Sequence, residues 1–170
     1  DYTRKCGVVH SEIMLPPHAP PSFSDRSTLW NSVEQTEKSN NSQLAREIEL
    51  ALPVELSREE QTRLVREYCS SQFVSKGMCA DFNIHDTGSG NPHAHILLTM
   101  RPLDEKGAWA AKSKKEYVLD ESGEKILLPS GRYKTRKIDL MDWNRQENAD
   151  LWRKEGAEQA NDVLEQKGSA

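Results

Sequence analysis

The stretch Cys79-Ala80-Asp81-Phe82-Asn83-Ile84-His85-Asp86-Thr87-Gly88-Ser89-Gly90-Asn91-Pro92-His93-Ala94-His95-Ile96-Leu97-Leu98-Thr99-Met100 decides the fold. Successive side chains of a strand leave opposite faces, so residues 79–85 place Ala80, Phe82 and Ile84 on one side. Asp81, Asn83 and His85 share the other. Residues 86–92 are all turn-forming or polar, which favours a chain reversal over a continued strand. Residues 93–100 alternate again, so the two runs are expected to pair as an antiparallel hairpin with a long loop.

That hairpin gathers histidines. His93 and His95 lie two apart on one strand and leave the same face, and the reversal brings His85 alongside them. Three of the five histidines of the chain thus fall within eleven positions. Converging neutral imidazoles suit a divalent transition metal, and three protein ligands leave coordination positions open for water or substrate. The ordinary alternative is a set of surface histidines that happen to alternate. His10 and His18 stand near prolines without an evident partner and are read as structural.

Working outward, residues 7–15 read as a strand closed by Pro16, Pro17, Pro20 and Pro21. Ser24 is expected to cap a short helix reaching about residue 38, with Leu29, Trp30 and Val33 inward. Residues 39–42 form a polar loop. Residues 44–52 read as a strand with Ile48, Leu50 and Leu52 on one face and Glu47 and Glu49 on the other, ended by Pro53. If this strand lies beside the hairpin, both glutamates point to the histidine face. Ser57-Arg58-Glu59-Glu60 is a capping box, opening a helix to about residue 73 with Leu64, Val65 and Tyr68 inward. Residues 115–128 suggest a smaller hairpin around Glu121-Ser122-Gly123, followed by a basic loop with Arg132, Lys134, Arg136 and Lys137. Residues 142–166 carry Trp143, Leu151, Trp152 and Leu164 at helical spacing. The order β-α-β-α-β-β, a small hairpin and a final helix implies an α+β fold. A central antiparallel sheet would carry helices on one face and the histidines on the other.

Composition narrows the function class. The 170 residues fit one domain with a real core. With 35% hydrophobic and 29% charged residues and a mean hydropathy of −0.80, the surface is strongly polar. The net charge of −4 excludes a uniformly basic nucleic-acid binder. Residues 101–137, however, hold ten Lys/Arg against six Asp/Glu, so a basic arm sits on an acidic body. Cys6, Cys69 and Cys79 have no Cys-x-x-Cys spacing, which speaks for a reducing cytoplasm rather than a disulfide framework. No apolar run nears the ~18 residues needed to span a bilayer. The chain starts on Asp1, so a fragment or a processed form is expected.

Ile84-His85-Asp86, the glycine-containing loop and Asn91-Pro92-His93-Ala94-His95-Ile96-Leu97-Leu98 resemble the metal motif of the MobA/MobL family, plasmid mobilisation relaxases of the HUH class. Arg46-Glu47-Ile48-Glu49-Leu50-Ala51-Leu52-Pro53-Val54-Glu55-Leu56 resembles a second signature of that family. Asp25-Arg26-Ser27-Thr28-Leu29-Trp30 and residues 109–137 extend the similarity over most of the chain. The resemblance implies a bacterial, cytoplasmic enzyme that nicks and rejoins one strand of plasmid DNA at the origin of transfer. It does so through a tyrosine that becomes covalently joined to the 5′ end. It also implies His85, His93 and His95 as ligands of a divalent metal: manganese or magnesium, with zinc, cobalt or nickel as alternatives. Glu47 and Glu49 match acidic positions near that site and would orient an imidazole or help deprotonate the tyrosine.

In the family the nucleophilic tyrosine precedes the region matching Asp1–Lys5. Residues 1–170 are therefore expected to form an N-terminally incomplete relaxase domain that binds metal and DNA without efficient nicking, unless the missing segment acts in trans. Its absence would also open a sheet edge. Tyr2 does not match the nucleophile, Tyr68 is expected in the core, and Tyr117 in the small hairpin. Arg132, Tyr133, Lys134, Arg136 and Lys137 are expected to contact single-stranded DNA, the cations at phosphates and Tyr133, with Trp109, by base stacking. Relaxosome accessory proteins and a coupling protein are the implied protein partners, and no membrane is. A rolling-circle-type HUH replication nuclease, a non-catalytic DNA-binding accessory module and a metal-dependent small-molecule hydrolase are the rival readings.

Overall fold

The computed structural model describes residues 7–139 and 146–168. Four strands form the central sheet: β1 (Val8–Met14), β2 (Ala45–Ala51), β3 (Ala80–His85) and β4 (His93–Thr99). Their order is β1-β3-β4-β2, and every neighbouring pair is antiparallel. The 79–100 hairpin is its centre, with His85 opposite His93.

The α+β class is as expected. Helix α2 (Arg58–Gln72) starts on the capping box: Glu60 N–H donates to Ser57 Oγ, and Ser57 N–H to the Glu60 carboxylate. Its Leu64, Val65, Tyr68 and Cys69 are buried against Phe82, Ile84, Ala94, Ile96 and Leu98 from the sheet. Helix α3 (Gln146–Gly168) joins the same layer through Ala160, Val163 and Leu164. It comes so close at Gly156 that an added Cβ would stand 2.7 Å from Leu50 Cδ1. The expected start of this helix at Asp142 and Trp143 lies outside the described residues.

Helix α1 (Arg26–Thr36) adds a patch on the opposite face. Arg26 grips both carboxylate oxygens of Asp81 at 2.8 Å, and Trp30 Nε1 donates to Asp81 at 2.9 Å. Asp81 is consequently 1% exposed. A buried carboxylate needs such partners, because an unpaired charge there costs several kcal/mol. Leu29, Phe23, Cys79 and Leu103 close a second, smaller core at this end of the sheet. The histidines occupy the other end of β3 and β4.

Three local expectations are corrected. The cap of α1 is Asp25, whose carboxylate accepts from Thr28 N–H and Oγ1; Ser24 instead donates back to the Pro21 carbonyl, closing a short 3₁₀ turn, and α1 ends at Thr36. The segment taken as a basic loop is partly strand: β5 (Ser113–Tyr117) pairs with β6 (Thr135–Asp139), which contains Arg136 and Lys137. Residues 115–128 do turn at Glu121-Ser122-Gly123, where the Asp120 carboxylate accepts from Ser122 and Glu124 N–H and Gly123 takes φ +81°. In the chain between β5 and β6 the pairing is limited to isolated bridges, Leu119 with Lys125 across this turn and Leu127 with Tyr133 beyond it. His10, read as lacking a partner, lies 3.1 Å from Glu12, which also accepts from Arg66 of α2.

Candidate metal centre

The ligand atoms of His85, His93 and His95 lie within 4.8 Å of one another, and no second such group occurs among the described residues. Strand pairing explains the convergence. His85 and His93 are register partners and their rings stack at 5.4 Å, while His95, two residues along β4, meets both edge-on at 4.7 and 4.9 Å.

Their hydrogen bonds fix which nitrogen is free. His93 Nδ1 is 2.9 Å from the Asn91 carbonyl, and His95 Nδ1 is 3.0 Å from Glu47 Oε1. Both partners can only accept, so both Nδ1 atoms carry the proton and both Nε2 atoms of the neutral rings keep a lone pair. Clustered imidazole nitrogens with free lone pairs, on rings anchored at the far side as His93 and His95 are, suit a transition ion. The donor set therefore fits a divalent cation.

The adjoining strand adds charge of the right sign. Because β2 pairs with β4, Glu49 sits opposite His95 and Glu47 opposite Leu97, on the histidine face as parity requires. Glu49 Oε1 stands 3.9 Å from His93 Nε2, beyond hydrogen-bond reach but within range of a shared cation. Asp86, next after His85, is bound by Gly88 N–H and by Arg58, and these hold its carboxyl below the usual range. Carboxylates around the cluster attract a cation and would repel a bare phosphate.

A sequence model of the MobA/MobL family matches residues 1–170. The chain belongs to the MobA/MobL family. It is 41% identical over 142 residues to the conjugal transfer protein TraA of Rhizobium radiobacter, covering 78% of this chain and 12% of that protein. It is 39% identical over 142 residues to the probable mobilization protein MobA of Bifidobacterium longum, covering 82% of this chain and 25% of that protein. A solved structure described as "Molecular Basis of Vancomycin Resistance Transfer in Staphylococcus aureus" superposes with a TM-score of 0.76 at 34% identity, covering 99% of this chain and 75% of its own. The chain thus spans a small part of the curated relatives.

In this MobA/MobL chain the structure brings Glu47, Glu49, His85, His93 and His95 together. It places Arg132, Tyr133, Lys134, Arg136 and Lys137 apart from them, all exposed, on the arm formed by residues 113–139. There Tyr133 meets Tyr117 edge-on at 6.0 Å, and Lys125 Nζ lies 4.0 Å above the Tyr117 ring. Trp109 does not join them: it stacks on Phe23 and donates to Ser32 Oγ, so it is spent on holding the arm's base. Arg101 and Lys112 fasten the same base to Glu37 at 2.7 and 2.9 Å. Tyr68 is fully buried in the core, and Tyr2 lies outside the described residues. Cys69 and Cys79 are free and buried, the Cys79 thiol pushed up to about 12 by desolvation; Cys6 lies outside the described residues. No described helix is long and apolar enough to cross a membrane.

Sequence reasoning missed Arg26, Trp30, Arg101 and Lys112. Their partners are 55, 51, 64 and 75 residues away, and strand or helix parity carries no signal over such spans.

Proposed function

We propose that residues 1–170 are the metal- and DNA-binding part of the nicking domain of a longer conjugal mobilisation protein, which acts on single-stranded origin-of-transfer DNA in the bacterial cytoplasm, and that these residues alone do not nick efficiently. The observation that carries this reading is the pairing of His93 and His95 through Nδ1 to the Asn91 carbonyl and Glu47, which leaves both Nε2 atoms free in a cluster whose ligand atoms, with that of His85, lie within 4.8 Å of one another. His85, His93 and His95 would hold a divalent ion, manganese or magnesium foremost. When bound, that ion supplies positive charge to the oxygens of the scissile phosphate, where negative charge builds during attack.

The chain's own residues divide the remaining work. Glu47 fixes the His95 tautomer and ring orientation. Glu49, at the open edge of the cluster, is placed to accept a proton from an incoming hydroxyl. The arm supplies phosphate contacts through Arg132, Lys134, Arg136 and Lys137 and a stacking surface through Tyr133, setting the strand's path rather than its chemistry. In this reading a tyrosine attacks the phosphorus, displaces the 3′ hydroxyl of the preceding nucleotide and retains the 5′ phosphate as an ester. Tyr68 is closed off in the core, and Tyr117 and Tyr133 pack on each other on the arm. This supports the reading that the attacking tyrosine lies outside the described residues.

The test is strand cleavage of supercoiled plasmid carrying the cognate origin, with manganese, by the full protein. Replacing Tyr68, Tyr117 and Tyr133 together by Phe is expected to leave covalent 5′ attachment intact, whereas His95→Ala abolishes it. Loss of attachment in the tyrosine variant with a normal melting curve would assign the nucleophile to one of these three and contradict the reading.

A further inference from the structure

Asn83 lies on β3 between Asp81 and His85, on the histidine face, and is 1% exposed. Its register partners are Ser11 on β1 and His95 on β4. Ser11 Oγ donates to Asn83 Oδ1 at 2.5 Å. A hydroxyl that donates there fixes the amide: Oδ1 is turned to β1, and Nδ2, with its two N–H donors, is turned the other way, towards β4. No described residue accepts from Nδ2. Nδ2 is not one of the side-chain atoms sealed from solvent without a partner, so the donor stays open to a ligand on the histidine face.

His95 approaches the same space from the opposite side. Its Nδ1 is turned out to Glu47 on β2, so its Nε2 points back over β3. Asn83 Nδ2 and His95 Nε2 are thus directed into one volume at the floor of the histidine cluster. Carboxylates occupy the rim of that cluster, whereas Asn83 is a neutral donor beneath it. An amide N–H cannot ligate a cation but can bond an anion's oxygen.

Resting on the reading of the cluster as a metal and phosphate site, we infer that Asn83, held by Ser11, donates its side-chain N–H to a non-bridging oxygen of the phosphodiester engaged at His85, His93 and His95. Asn83 is then a contact residue for the anion, and Ser11 a positioning residue acting through it. The pair gives the site a means of binding phosphate separable from its means of binding metal.

The experiment uses the manganese-loaded protein and dimethyl phosphate, a phosphodiester without a base, followed by broadening of its ³¹P resonance. Manganese affinity is measured in parallel by calorimetry. Asn83→Ala is expected to keep manganese affinity within about twofold and to weaken dimethyl phosphate binding by about tenfold. Asn83→Asp, which keeps the acceptor for Ser11 but replaces the donor with a charge, weakens phosphate binding further. Ser11→Ala weakens it less and reports on the pair should either Asn83 variant melt early. Unchanged dimethyl phosphate binding in Asn83→Ala would overturn the inference. So would equal losses of manganese and phosphate affinity, which would make Asn83 a support for His95. A wild-type protein that binds no manganese would instead remove the metal reading on which this rests, a different and distinguishable failure.

Discussion

His95 donates its Nδ1–H to Glu47 Oε1 at 3.0 Å across the β2–β4 pair, and this bond selects the nitrogen that faces His85 and His93. In the proposed site Glu47 would act on the metal centre through His95, without being one of its inner ligands. Partners of this kind typically contribute 10–100-fold to metal affinity. Glu47→Ala is expected to weaken manganese binding by about tenfold or more, and Glu47→Gln, whose amide oxygen can still accept, by less. Isothermal titration of the two variants checks the order; equal losses would show that charge rather than ring orientation is what Glu47 supplies.

Glu37 ties the fold to acid pH. Burial alone would raise its carboxyl, but hydrogen bonds from Arg101 and Lys112 prevail and hold it below the usual value of 4.5. A carboxylate whose value is lower in the folded than in the unfolded chain adds stability above the unfolded value and loses it as the pH falls through the folded one. Glu12, lowered chiefly by its hydrogen bond from Arg66, has the same sign. Stability should thus decline as the pH drops below about 4.5. In Glu37→Gln the urea midpoint is expected to be lower at pH 7 and to change less between pH 5 and 3 than in the wild type.

The arm makes a prediction about salt. Arg132, Lys134, Arg136 and Lys137 are exposed; among the described residues Arg136 alone of the four has an ion pair, with Glu116 at 3.4 Å, a contact too exposed to hold it from phosphate. Each phosphate neutralised on a single strand contributes about 0.7 to the slope of log affinity against log salt. Arg132→Ala with Lys134→Ala should reduce that slope by about 1.4 for single-stranded DNA. An unchanged slope would remove the arm from the DNA interface.

What was legible in the sequence was what local periodicity controls. Alternation over residues 79–100 placed His85, His93 and His95 on one face, and the same parity put Glu47 and Glu49 with them once β2 took its place beside β4. Ser57 and Glu60 announced α2 because a capping box is contained in four residues. The arm was misread because β5 and β6 meet across residues 118–134, where the nearer turn at Glu121-Ser122-Gly123 offered a more local hairpin. Trp109 looked available for a base because its burial depends on Phe23 and Ser32, far earlier in the chain. Alternation placed Asp81 and Asn83 on the histidine face but not their partners, for the same reason. Arg26 and Trp30 cover the first, and Ser11 engages the second.

The most direct test of the account is the stoichiometry of manganese binding to the wild-type chain and to His85→Ala, His93→Ala and His95→Ala, measured by electron paramagnetic resonance on protein freed of metal. One ion per wild-type chain, weakened by at least tenfold in each variant while the melting temperature without metal changes little, is the result the geometry predicts. Wild-type protein that binds no ion, or binds one that all three variants keep, would contradict it.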